Sequence, residues 1–233
     1  ETYSPVVNWF SIRLFLVTSI LQGWDTRQID FILAFPQADV ECDIYMEVPE
    51  GFVLRGDKKK YCLKLIKNIY GTKQAGRVWN KHVNKGLLEL GYKPSIIDPC
   101  VYYRGKTVFM IYVDDGIFAG PDRGEIERLI KEMQDKFNVT DEGDLKEYLG
   151  VLVKKQPDGR TKLSQPQLIK QILGDLWYND RTKPKATPAP GGQVLERELD
   201  AEPMNDDFHY RSVIGKANFV EKSTRPDIAV AVH

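Results

Sequence analysis

Thr107-Val-Phe-Met-Ile-Tyr-Val-Asp-Asp-Gly-Ile-Phe-Ala-Gly120 sets two apolar runs on either side of Asp114-Asp115-Gly116. Asp-Asp-Gly between hydrophobic runs is an ordinary hairpin signal, so the stretch predicts an antiparallel strand pair. Two adjacent carboxylates at such a turn are costly unless they find a partner. Tyr112-x-Asp114-Asp115 alone fixes too few residues to be specific. The discriminating feature is a third acid, Asp30, in Arg27-Gln-Ile-Asp-Phe-Ile-Leu-Ala-Phe35, a run that is apolar from Ile29 onward as expected of a buried strand. Two strands that each present an acid can converge on divalent cations. Hard oxygen ligands select Mg²⁺ or Mn²⁺, and two such ions about 4 Å apart form a clamp for in-line attack on a phosphate. The chemistry expected is phosphoryl transfer.

Upstream of this pair, Ser11 to Trp24 carries Ile12, Phe15, Leu16, Ile20 and Trp24 at helical spacing, predicting a helix that packs before the Asp30 strand. Residues 44 to 65 read as short strands around Pro49-Glu-Gly51. A second helix is predicted from about Gln74 to Leu90, with Ala75, Val78, Trp79, Val83 and Leu87 on one face and Gly91 as its stop. Gly105-Lys106 marks another hairpin. The clearest stripe, Ile126, Leu129, Ile130, Met133 and Phe137, predicts a third helix over 124 to 137. A hairpin around Pro157-Asp-Gly159 and a short helix from Pro166 to Trp177 follow. Residues 181 to 205 read as a linker, and 206 to 233 as a helical tail. This order predicts an α+β fold, antiparallel strands backed by helices.

The chain has 233 residues, with Lys plus Arg and Asp plus Glu at 33 each, so net charge gives no hint of nucleic acid. Its distribution is uneven. Residues 55 to 85 contain ten basic side chains, among them Lys64, Lys67, Lys73, Arg77 and Lys81, against the single acid Asp57. Such a run is either a solvated surface or a face that tracks phosphates. Cys42, Cys62 and Cys100 lack metal or disulfide spacing and are expected to be buried free thiols in a reducing compartment. No segment predicts a membrane span. His82, His209 and His233 form no metal spacing and receive no role.

The ordered blocks Glu1-Thr-Tyr-Ser-Pro-Val-Val, Gln28-Ile-Asp, Tyr45-Met-Glu-Val-Pro-Glu-Gly-Phe52, Ile69-Tyr-Gly-Thr-Lys-Gln-Ala-Gly-Arg-Val-Trp79, Tyr112-Val-Asp-Asp, Tyr148-Leu-Gly150, Leu163-Ser-Gln and Thr224-Arg-Pro-Asp-Ile-Ala229 carry a family resemblance. The chain resembles the reverse transcriptase of copia-type LTR retrotransposons. The resemblance implies a polymerase palm with partial fingers over residues 1 to 150, a primer-grip hairpin and the start of a thumb over 151 to 180, and a thumb or connection tail after the linker.

It further implies Asp30, Asp114 and Asp115 as catalytic residues. These acids, with the Phe31 carbonyl, would hold two Mg²⁺ or Mn²⁺ ions. Asp115 is expected to support the turn rather than bridge both ions, because adjacent strand residues point to opposite sides. Phe35 would crowd the sugar C2′ position, with Tyr70, Gly71 and Lys73 shaping the nucleotide pocket. Gln74, Arg77, Tyr112, Leu149 and Gly150 would meet nucleic acid, and either Lys136 or Lys146 would protonate pyrophosphate. Implied partners are a primed RNA or DNA template, deoxynucleotide triphosphates, and the integrase and ribonuclease H of a longer Pol polyprotein. The implied location is intracellular, in a cytoplasmic particle or the nucleus.

Thr72 stands where the family usually has Leu, and Gly76 where it has Pro. These departures favour a second expectation, a catalytically impaired remnant that still binds nucleic acid. A metal-dependent nuclease also needs clustered acids, but it leaves Phe35 and the glycine block unexplained. Trp79 is expected in the core.

Overall fold

A computed structural model describes residues 2–53, 56–178, 181–183 and 209–233. The chain divides into two compact units, Glu1–Leu145 and Lys146–His233. The linker expected over 181 to 205 lies, beyond residue 183, outside the described residues.

In the first unit, α1 (Trp9–Leu21) begins at Asn8, whose side chain accepts the Phe10 N–H. It buries Ile12, Phe15, Leu16 and Ser19. The expected stripe is corrected at Ile20, which is largely exposed, because this helix is apolar all round and its sequence does not single out one face. Then come β1 (Asp25–Phe31), the short α2 (Ala34–Gln37), β2 (Tyr45–Glu47), β3 (Cys62–Lys64), α3 (Ala75–Glu89), β4 (Lys93–Pro94), β5 (Val101–Arg104), β6 (Thr107–Tyr112), β7 (Asp115–Gly120), α4 (Arg123–Lys136) and β8 (Val139–Asp144). β2 pairs with β3. The other strands form one sheet in the order β4-β5-β6-β7-β1-β8, with every pairing antiparallel.

α3 and α4 supply the stripes read from the sequence, and these residues form much of the core: Ala75, Val78, Trp79, Val83 and Leu87 from one helix, Ile126, Leu129, Ile130 and Met133 from the other. α4 is capped by Asp122, which accepts from the Gly124 and Glu125 amides. On the sheet, Ile29 and Phe31 are buried while Asp30 between them is only partly so, the alternation expected of a strand with one covered face. Gly116 is needed opposite them: a Cβ there would stand 2.8 Å from both Ile29 Cγ1 and the Phe109 ring.

The second unit holds β9 (Glu147–Tyr148), β10 (Val151–Lys155) and β11 (Thr161–Ser164) as a three-stranded sheet in the order β11-β10-β9. It continues with α5 (Pro166–Asp175), α6 (Tyr210–Ser223) and α7 (Ala229–Val232). Lys216 on α6 pairs with Asp175 at 2.6 Å, and Thr224 donates to the Gln165 side-chain oxygen at 3.0 Å. Among the described residues no helix is long and apolar enough to cross a membrane.

The three cysteines are free, but the expectation of burial holds only for Cys100. Cys42 and Cys62 are exposed, Cys62 on the two-stranded β2–β3 ribbon.

Candidate active site

The turn between β6 and β7 has two residues, Val113 and Asp114, because Tyr112 pairs directly with Asp115. Asp115 is in turn the register partner of Asp30 on β1. Directly opposed residues of an antiparallel pair share a face, so Asp115 stands beside Asp30, with Asp114 next to it in the turn. The Phe31 amide donates to the Asp114 carbonyl at 2.9 Å, tying the two acid-bearing segments together. Any ligand role for Phe31 belongs to its carbonyl, since its ring is buried against Trp79 and Phe137.

A fourth acid joins them. The β1–β8 register shifts between Gln28 and Ile29, leaving Glu142 as the extra residue of a bulge. Burial, then Asp114, then Glu142 raise the Asp30 pKa. Burial and the charges of Asp114, Asp30 and Glu142 push Asp115 up to about 6. Among the described residues, no Lys or Arg forms an ion pair with Asp30 or Asp114. The donor set therefore suits a hard divalent cation: oxygen donors, like charge, partial burial. The side chains are not drawn into a closed cage, for among the described residues no three His, Cys, Asp or Glu side chains gather closely enough to hold an ion.

Phe35 lies on α2, its ring 4.6 Å from that of Tyr70. The Tyr70 pKa is raised by burial and then by the charges of Asp114 and Asp30. Gly71 adopts φ +95, a conformation that side chains disfavour, with open space where a Cβ would point. Thr72, the departure from the family pattern, donates its hydroxyl to the Ile69 carbonyl at 2.9 Å and so closes the same loop. Gly76 occupies the second position of α3 beside Ser4, whose hydroxyl donates to its carbonyl. Lys73 is exposed, and Gln74 caps α3 without a side-chain hydrogen bond.

Arg77 is not free to meet phosphates: it pairs with Glu41, which also takes Lys81 at 3.1 Å. Lys64 and Lys67 pair with Asp43 and Asp39 at 2.7 Å each. The basic stretch is thus partly neutralised by acids that lie before it in sequence. Lys136 is held by Glu89 at 2.5 Å, which ties α4 to α3. Leu149 and Gly150 form the two-residue β9–β10 turn with φ +50 and +76, as a tight hairpin requires, and nothing lies where a Gly150 Cβ would point. Trp79, expected in the core, does more: its indole N–H donates to the Val113 carbonyl at 2.6 Å. No periodicity announces that bond, nor the Glu41 pairings or the Glu142 bulge.

The fold is a mixed α/β one whose antiparallel sheet carries opposed carboxylates on β1 and β7. The family described as "Reverse transcriptase (RNA-dependent DNA polymerase)" matches residues 1–190, and the chain belongs to it. All of the chain is 32% identical over 243 residues to the retrovirus-related Pol polyprotein from transposon TNT 1-94 of Nicotiana tabacum, covering 18% of that protein. It is 34% identical over 237 residues to the corresponding polyprotein of transposon RE1 of Arabidopsis thaliana, covering 16% of it. A yeast relative, the putative transposon Ty5-1 protein, is 27% identical over 208 residues, with 88% of this chain matching 67% of that protein. The resemblance to copia-type elements is therefore real, and the chain spans less than a fifth of the plant polyproteins it matches.

Proposed function

We propose that this chain is the polymerase core of an RNA-directed DNA polymerase. It would extend a primer on an RNA or DNA template with deoxynucleotide triphosphates, within a Pol polyprotein that also carries integrase and ribonuclease H. The site of action would be a cytoplasmic particle or the nucleus. The observation that carries the reading is the register of Asp30 opposite Asp115 with Asp114 in the adjoining turn. Asp30, Asp114, Asp115 and the Phe31 carbonyl would hold two Mg²⁺ or Mn²⁺ ions, which supply charge neutralisation and acidify an attacking hydroxyl when bound. The chain's own residues orient the substrates. The Phe35 ring, backed by Tyr70, limits the space beside the sugar. Gly71 and Lys73 border the triphosphate, Gln74 and Tyr112 the template, and Leu149-Gly150 the primer.

Primer extension on a primed RNA template with Mg²⁺ tests this reading. Lengthened, template-directed products support it; shortened primers would indicate a nuclease. Binding without extension would favour the impaired remnant, toward which the Arg77–Glu41 pair points. Phe35→Val should raise ribonucleotide incorporation about tenfold or more relative to deoxynucleotide, because opening a packed pocket by one ring shifts discrimination on that scale. An unchanged sugar preference with lowered stability would return Phe35 to a packing role.

A further inference from the structure

We propose that Trp79 is a positioning residue for the catalytic turn: its indole N–H holds the Val113 carbonyl and so sets the direction in which Asp114 is presented. The proposal rests on the reading of Asp114 as a catalytic acid. Val113 adopts φ +58, a left-handed conformation that is an outlier for a β-branched residue. Such a backbone persists only where its surroundings over-determine it. The Val113 carbonyl belongs to the peptide that joins Val113 to Asp114, so whatever fixes that oxygen fixes the peptide plane from which the Asp114 side chain departs. Trp79 Nε1 donates to it at 2.6 Å.

The indole is itself immobilised. Trp79 is 2% exposed, meets Phe31 edge to face at 5.2 Å, stacks on His82 at 5.9 Å and faces Phe137 at 6.4 Å. Because Phe31 follows Asp30 and its amide donates to the Asp114 carbonyl, the contacts close a ring: Trp79, Val113, Asp114, Phe31 and back to Trp79. One side chain thus touches both acid-bearing segments without reaching the acids.

The turn is not packed on every side. A cavity of about 90 Å³ lies against it, lined by Phe35, Trp79, Cys100, Ile111 and Val113. The Trp79 hydrogen bond fixes the Val113 carbonyl at the edge of that space.

Trp79→Phe tests this in the full chain, since it removes the N–H and keeps a ring against Phe31. Primer extension should lose kcat by about tenfold or more, with the deoxynucleotide KM and primer-template affinity within about twofold. Adding Val113→Gly should restore most of the lost rate, because glycine takes positive φ at no steric cost. Two readouts do not need turnover. In ¹H–¹⁵N spectra the Trp79 indole proton should resist solvent exchange, and Trp79→Phe should shift the Asp114 amide. Mn²⁺ affinity, measured by calorimetry, should fall in Trp79→Phe and recover in the double variant. Wild-type kcat and Mn²⁺ affinity in Trp79→Phe would overturn the proposal, as would losses that track a lowered melting temperature and resist Val113→Gly. Asp114→Asn is the control: if it leaves extension and Mn²⁺ binding intact, the underlying site assignment fails instead.

Discussion

The acidic end of the six-stranded sheet and the basic segment over residues 55 to 85 treat charge in opposite ways. At the sheet end, burial and the neighbouring charges of Asp114 and Glu142 raise the proton affinity of Asp30 and Asp115, and among the described residues no Lys or Arg forms an ion pair with Asp30 or Asp114. In the basic segment, Lys64, Lys67, Arg77 and Lys81 are each matched by Asp43, Asp39 or Glu41. Like charges brought together raise the cost of ionising each of them, whereas charge already paired with the opposite sign marks a structural surface. By that measure the proposed site lies with the acids, and the basic segment has only part of its charge left to offer a polyanion.

The sharpest way to break this contrast is Asp114→Asn. Removing this turn acid, which adjoins the opposed pair Asp30 and Asp115, should cost primer extension about a thousandfold, several kcal/mol of transition-state stabilisation, while primer-template affinity stays within a few-fold. Wild-type extension would show that the clustered acids are not the working centre. A smaller effect is expected on the other side of the comparison. Glu41→Gln releases Arg77 and Lys81, so affinity for primed template should rise about threefold, and the salt dependence should steepen by roughly one phosphate contact. Unchanged salt dependence would mean these bases do not face nucleic acid even when freed.

The acids also predict how stability varies with pH. The folded-state pKa of Asp115, about 6, lies above its ordinary 3.8, so folding favours the protonated form. This contribution is fully present below about pH 4 and is lost as pH rises through 6. Asp30, also raised, acts in the same sense. The loss is about 1 kcal/mol once solvent screening is discounted, and it should appear as a pH-dependent difference between wild type and Asp115→Asn in metal-free buffer. Parallel melting curves from pH 4 to 8 would contradict it. The smallest effect belongs to the start of α3, where Gly76→Pro should stabilise the chain by about 0.4–1 kcal/mol, since the second helical position tolerates proline and the unfolded chain loses freedom. A lowered melting temperature would show that the Ser4 contact depends on glycine.

Much of the frame is written locally. The stripes of α3 and α4 and the hairpin at Gly105-Lys106 follow from residue spacing, and the structure keeps them; the second hairpin is also there, but its turn falls one residue earlier than Asp114-Asp115-Gly116 suggests, at Val113-Asp114, with Asp115 already paired in β7. What the sequence hides is set by distant partners. Arg77 and Glu41 lie 36 residues apart, and Trp79 and Val113 lie 34 apart, so no window of local pattern joins them. The face of α1 is hidden for another reason: apolar residues all round leave the choice to the surface it packs on. The left-handed Val113 is the least legible of all, since a β-branched residue is the last a turn rule would place at positive φ.

The two-residue length of the Val113–Asp114 turn also sets which insertions this gene can tolerate. Side chains alternate across a strand, so one added codon between Tyr112 and Asp115 that slips the register would carry Asp115 away from the face it shares with Asp30. The hairpin tip over 156–160, where β10 and β11 connect, sets no such phase between acids and can absorb extra residues. Deep insertion scanning should therefore find a sharp dead zone at 112–115, on a turn that by length alone resembles any other two-residue hairpin.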